Sequence, residues 1–410
     1  MPKLLQINSC INRSTGRIAQ QLGETAIDAG WESWIAYSAR SECVPSKSNL
    51  IRVGSQLDAR SHAIQTRLFD NHGLCSNIST RHLIRKIQDV APDVIHLHNI
   101  HGYYLNYEIL FNFLSLYGKP VVWTIHDCWA FSGHCVHYTD VNCNKWKSAS
   151  LEHCSKCPKL RDYPTSYLFD RSAKNYIQKR RAFNSVNNLT LVPVSYWLGD
   201  VLKESFIGRY PIKVIQNGVD LNTFYPREGM KFRMKHHIED KYIVLGVATG
   251  WSENVGLSDF IRLSQVLDER FQVVMVGTTP AIDKMLPKNI ISVNRTNDVN
   301  ELAQIYSEAN ILFNGSFMET FGLVTAEAIA CGTPALVYNS TACPEIVTKD
   351  TGYVVSPKAF DAVVATLMED INIPTELRKE HKKICQEYAA RHFDKNAKYK
   401  EYINLYNSLL

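Results

Sequence analysis

The chain has 410 residues, 45% of them apolar and 21% charged, which excludes a disordered, collagenous or coiled-coil polypeptide and suits two domains of ordinary size. Its 45 Lys and Arg against 40 Asp and Glu leave a formal charge of +5, too little for the basic face of a nucleic-acid binder. Eleven cysteines, an odd number in a long chain, argue against a fully paired secreted disulfide framework. Met1–Cys10 reads as a short strand rather than a signal peptide, and no stretch approaches the roughly 18 apolar residues of a membrane span. A cytoplasmic chain is expected.

In chain order, apolar runs bounded by turn residues are expected to form strands at Lys3–Ile7, Glu32–Tyr37, Val94–Leu97, Val121–Ile125, Leu189–Val194 and Lys213–Ile215. The same grammar returns at Ile243–Val247, Phe271–Val276, Ile290–Val293, Ile311–Asn314 and Pro334–Tyr338. Helical patterns such as Ile18–Ala29 and Leu323–Ala330 lie between them. Continuously apolar strands alternating with amphipathic helices belong to parallel sheets covered on both faces, so the class is α/β. The expected organisation is a Rossmann-like domain over 1–195, a linker region over 196–240, a second Rossmann-like domain over 241–385 and a closing segment over 386–410. Tyr399, Tyr402, Leu405 and Tyr406 would pack that segment back on the first domain. Ligands of such sheets bind beyond the strands' carboxyl ends, which places the expected site in a cleft between facing domains.

Candidate chemistry follows the same order. Ser14-Thr15-Gly16-Arg17 leaves the first strand and opens a helix, as a helix cap or a loop that admits a ligand. His98, Asn99 and His101 end one strand, and His126 and Asp127 end the next. An insertion over 128–160 then carries Cys135, Cys143, Cys154 and Cys157, closed by a Cys-x2-Cys knuckle. Four such thiols suit a structural zinc, with His134, His137 or His153 as alternative ligands; disulfides or unliganded thiols are the other readings. From Lys145 to Arg181 ten Lys and Arg face three acids, with Trp146, Tyr163, Tyr167, Phe169 and Tyr176 interleaved. Such a run reads as a solvated helix face, as a membrane-surface contact or as a binding region for a lipid-pyrophosphate acceptor.

The second half holds the most specific motif. Glu319 and Glu327 stand eight residues apart, with Phe321-Gly322 after the first and Gly332-Thr333-Pro334 after the second. Together with Asn217-Gly218-Val219-Asp220, Val194-Ser195 and Ala342–Ile346, this resembles the signature of retaining family 4 glycosyltransferases of the GT-B fold, over nearly the whole chain. The insertion's His-Asp-x-Trp-x-x-x-Gly-His-Cys run is similar to a subset acting in bacterial exopolysaccharide synthesis.

The resemblance implies transfer of a sugar from a nucleotide-sugar, UDP- or GDP-linked, to a saccharide or polyprenyl-pyrophosphate-linked acceptor. Catalysis would need no metal or other cofactor, and the chain would work in surface-polysaccharide assembly, cytoplasmic or peripheral on the inner membrane face. It implies catalytic roles for His126 and Glu319. Donor binding would fall to Gly16, Asn217, Phe321, Gly322, Leu323 and Glu327, and acceptor contacts to His98, Asn99 and Asp127, with Asp127 orienting His126. One departure stands out: the family's Lys for the leaving pyrophosphate falls here on Val255 and its Arg on Gly250 or a neighbour, and Arg295 reads either as a surface arginine or as a substitute cation. A catalytically weakened binding or scaffold protein is therefore the alternative. A nicotinamide-dependent dehydrogenase would need a glycine-rich dinucleotide fingerprint that Ser14-Thr15-Gly16 does not supply.

Overall fold

The computed structural model describes residues 1–12, 14–296 and 298–410. They form two units, one of Met1–Ile215 with Tyr399–Leu410 and one of Gln216–Lys398. The expected linker over 196–240 is therefore divided between the units at Ile215, and the second unit runs past 385 to Lys398.

The first unit holds β1 (Lys3–Asn8), β2 (Glu32–Ser38), β3 (Asn49–Val53), β4 (Val94–Leu97), β5 (Val121–Ile125) and β6 (Leu189–Pro193). The second holds β7 (Tyr242–Val247), β8 (Phe271–Thr278), β9 (Ile290–Asn294), β10 (Ile311–Asn314), β11 (Ala335–Tyr338) and β12 (Gly352–Val355). All pairings are parallel, in the orders β3-β2-β1-β4-β5-β6 and β12-β11-β10-β7-β8-β9. Read from its other edge, the second order is the first again: both sheets are doubly wound, and the strand order reverses between β1 and β4 and between β7 and β10. The two-unit α/β fold is the expected one.

Burial explains which strands were legible. β4, β5, β10 and β11 are buried at every residue, so their sequences are apolar runs. The edge strands β3 and β12 alternate or face solvent and carry no such run. Lys213–Ile215, expected as a strand, only runs beside β6 through single backbone contacts, with Lys213 N–H donating to Leu191 O at 2.9 Å.

The helix Lys395–Leu409 closes the first unit's core. Tyr399, Tyr402, Ile403 and Tyr406 stand at i, i+3, i+4 and i+7, one face of the helix, and pack on Leu4, Trp31, Val94 and Val122. Each buried phenol has a partner: Tyr399 donates to Gln21 at 2.8 Å, Tyr402 lies 3.0 Å from the Thr124 hydroxyl and Tyr406 lies 2.6 Å from His96 Nδ1.

Candidate functional site

In the first unit, the ends of β4 and β5 bring His98, Asn99, His101, His126, Asp127 and Trp129 around one small cavity. Their order is set from β1. Gln6 Nε2 donates to Ala19 O at 2.7 Å, which turns the amide oxygen toward His98 Nε2 at 3.0 Å. His98 thus carries its proton on Nε2, and its Nδ1 accepts from His126 Nε2–H at 3.2 Å. His126 is left with an unprotonated Nδ1. Burial keeps the relay uncharged: it pulls His126 down to about 4, against the opposing pull of Asp127, and holds His98 well below its usual range, aided by His96 and His126.

Asp127 does not orient His126. Its Oδ2 faces His101 Nε2 at 2.8 Å and its Oδ1 accepts the Trp129 N–H at 2.9 Å. Burial would raise this carboxyl, but His101 and the Trp129 N–H outweigh it and hold it down to about 2. His101 Nδ1 lies 3.3 Å from the Tyr163 hydroxyl, so this histidine links Asp127 to Tyr163. Asn99 is fixed by its backbone, which donates to Asn8 Oδ1 at 3.2 Å and accepts from the Tyr104 hydroxyl at 3.0 Å. Gly16 lies in the helix Ser14–Asp28, where a Cβ would come within 2.5 Å of the Ile11 backbone. Its bareness lets the helix meet the loop after β1. A wider recess beyond β1 and β2 is lined by Ser9, Asn12, Arg40, Glu42 and Gly102.

The cysteine insertion departs from expectation. Among the described residues no group of three or more His, Cys, Asp or Glu is placed to hold a metal ion, so the zinc site on Cys135, Cys143, Cys154 and Cys157 is not supported. All four are free thiols. The Cys154 sulfur accepts the Gly133 N–H at 3.3 Å, and burial raises its thiol to about 12. The neighbouring Cys135 thiol and burial push Cys157 up as well. The alternative ligand His134 is held by Asp70, with Nδ1 at 2.6 Å from Oδ1. Lys179, fully buried beneath the insertion, donates to the carbonyls of Trp129 and Ser132 at 2.7 and 3.0 Å; it stitches the loop to its helix.

In the second unit the candidate residues gather beyond β10. Gly322, at φ +102°, turns the chain into the helix Leu323–Ala330. Glu319 precedes it, its N–H donating to Thr341 Oγ1 at 3.0 Å and its carbonyl accepting from Ala342 N–H at 3.2 Å. Burial lifts its carboxyl to about 7, and only the Ser316 hydroxyl opposes the shift. Glu327, on the helix, accepts from the buried Tyr306 hydroxyl at 3.1 Å. Phe321 turns its ring edge-on to Phe393, 5.9 Å between centroids, so only its backbone is available to a ligand. Leu323 is half-buried at the helix start, where N–H groups and dipole favour an anion.

Asn217 is half-buried in an element strapped to the segment before the last helix: Val219 pairs with Asp394, and Lys395 Nζ reaches Asp220 at 2.7 Å. Arg295 is exposed after β9. At the two positions that lack the expected cations, Val255 packs on the apolar core and Gly250 stands in open space. Sequence reading did not flag Gln6, Thr341 or Tyr306 and placed Tyr163 only in the basic run, yet each holds another residue here; polar residues of this kind have no signature until the fold supplies their partners.

The family description "Glycosyltransferase Family 4" matches residues 15–223, and "Glycosyl transferases group 1" matches 230–391. WcaC of Escherichia coli K12, described as a "Putative colanic acid biosynthesis glycosyl transferase", is 24% identical over 396 residues, covering 90% of this chain and 94% of that protein. Among solved structures, sucrose-phosphate synthase of Thermosynechococcus elongatus aligns with a TM-score of 0.72 at 17% identity, covering 100% of this chain and 99% of its own. Alr3699/HepE of Anabaena, solved with UDP and glucose, aligns at 0.67 and 14% identity with all of both chains covered.

Proposed function

From the premise that the chain belongs to glycosyltransferase family 4, we propose that it moves a sugar, with retention, from a UDP- or GDP-sugar to a saccharide or polyprenyl-pyrophosphate-linked acceptor in bacterial surface-polysaccharide assembly. The observation that carries this reading is the arrangement beyond β10, where Glu319, the turn at Gly322 and the helix bearing Glu327 succeed one another at the point of strand reversal. The likeness to WcaC supports the polysaccharide assignment, and the UDP complex of HepE supports a nucleotide diphosphate donor.

In this reading the backbone N–H groups of Phe321, Gly322 and Leu323 meet the donor diphosphate, Glu327 takes the ribose diol and Glu319 binds donor-sugar hydroxyls. Asn217 and Gly16 border the donor, and Arg295 is the cation closest in role to the missing Arg and Lys. His126 offers its unprotonated Nδ1 to a hydroxyl at the reacting sugar, with His98 fixing the tautomer. His98, Asn99 and Asp127, the last through His101, shape the acceptor side. The bond from the anomeric carbon to the diphosphate breaks as the acceptor oxygen attacks from the same face, and its proton passes to the departing phosphate oxygen. The enzyme contributes position and charge stabilisation. Peripheral contact with the membrane would bring it to a lipid-linked acceptor.

A thermal-shift screen of the purified chain against UDP-, GDP-, dTDP- and CMP-sugars tests the donor assignment, followed by transfer assays with the stabilising donor. One nucleotide-sugar class should raise the melting temperature in the native chain and less in Glu327→Gln. No shift with any of them would overturn the reading.

A further inference from the structure

The exposed face of the helix Gln56–Phe69 carries Leu57, Arg60, Ile64 and Arg67, spaced three, four and three residues apart and so aligned in one stripe. Leu57 is 75% exposed and Ile64 57%. At the end of this helix Phe69 stacks on Phe169 with 5.8 Å between ring centroids, and Tyr167 N–H donates to Arg67 O at 2.7 Å. These contacts tie the run Tyr167-Leu168-Phe169 to the stripe, with Leu168 66% exposed and Arg161 over the Tyr167 ring at 5.3 Å.

The structure also sorts the basic run of the sequence. Trp146, Tyr176 and Lys179 are buried, and Lys145, Lys147, Lys159 and Arg181 pair with Glu152, Glu204, Asp140 and Glu108. Arg161, over the Tyr167 ring, and Lys174 of that run are exposed, as are Arg60 and Arg67 of the helix stripe, which lie outside it. Aliphatic and aromatic side chains standing in water among cations of one sign complement a plane of acyl chains beneath anionic headgroups, toward which Arg and Lys stems extend. Among the described residues no helix is long and apolar enough to cross a membrane, so contact would be from the surface.

We propose that the first unit docks on an anionic lipid bilayer through Leu57, Ile64, Leu168 and Phe169, flanked by Arg60 and Arg67; the proposal rests on the transferase reading, for which it supplies access to a lipid-linked acceptor. The stripe inserts its apolar residues at the headgroup level while the guanidinium groups engage lipid phosphates.

The test is co-sedimentation of the full chain with vesicles of equal parts phosphatidylglycerol and phosphatidylcholine, against phosphatidylcholine alone. Binding should be at least about tenfold stronger to the anionic vesicles and fall with added salt. The double variants Leu168→Glu/Phe169→Glu and Arg60→Glu/Arg67→Glu should each weaken it by about tenfold or more, with melting temperatures unchanged. Equal binding to both vesicles, no binding to either, or native affinity in both variants would overturn the proposal. Transfer to a water-soluble acceptor should be the same in variants and native chain. Intact transfer without vesicle binding would sink the docking proposal alone, and vesicle binding without any transfer would sink the transferase reading it rests on.

Discussion

The two sheets repeat one strand order and carry their candidate groups beyond corresponding strands, β4 and β5 in the first and β10 in the second, but each holds them by different means. In the first unit the groups are imidazoles positioned by other side chains: Gln6 sets His98, His98 sets His126, and Asp127 holds His101. In the second, the candidate group is a carboxyl positioned by backbone, through the N–H and carbonyl of Glu319, with a helix start behind it. Burial drives both sites toward neutrality from opposite directions, pulling His126 down to about 4 and lifting Glu319 to about 7. Shared topology thus fixes where a site lies, while the local partners decide which protonation state it keeps.

The comparison breaks most visibly at Glu319. Glu319→Gln should lower kcat by about two orders of magnitude if the carboxylate binds the sugar in the transition state. The same variant should be more stable at alkaline pH. A carboxyl raised from 4.5 to about 7 contributes stability that is full below 4.5 and lost as pH rises through 7, an effect of at most about 3 kcal/mol. A melting curve at pH 8 with no gain over the native chain would remove that account of Glu319.

His126→Ala should cost about tenfold to a hundredfold in kcat, and Gln6→Leu a smaller part of it, because the tautomer lock upstream would be lost. If Gln6→Leu left kcat unchanged, the relay would be structural only.

The opposed shifts predict opposite pH responses of the units. Lowered histidines contribute stability that is full above about 6.5 and lost as pH falls toward their folded values; for His126 that is about 2 kcal/mol by pH 5. Hydrogen exchange at pH 5, corrected for intrinsic rates, should loosen β4 and β5 relative to β10, with the contrast reversing at pH 8, where the cost of ionising Glu319 falls on the second unit. Uniform change across both sheets would contradict the comparison.

The smallest effect concerns the missing cations. A side chain at Gly250 meets nothing within 4 Å, so Gly250→Arg should fold normally and raise kcat severalfold by stabilising the leaving diphosphate. Val255→Lys should instead lower the melting temperature, because Val255 packs on the core.

What the sequence revealed follows from what each residue must satisfy. Buried central strands need apolar side chains throughout, so β4, β5 and β10 were readable, and the Glu319 to Glu327 motif fell in the loop and helix assigned to it. Half-exposed β3 and β12 obey a weaker rule and were missed. Cysteine spacing suggested a metal where the fold directs the thiols to hydrogen bonds and buried surroundings, and the pairing of Asp127 with His101 over its chain neighbour depends on side-chain direction at a strand end, which spacing does not encode.

The helix that carries Tyr399, Tyr402 and Tyr406 fills the first unit's core, yet its sequence follows the whole of the second unit. On the ribosome, the first unit therefore waits with an apolar trough open beside β1, β4 and β5 while the second unit is synthesised and can fold. Native order is reached last in the part of the chain made first, which makes that interval the stage at which a chaperone would find this protein.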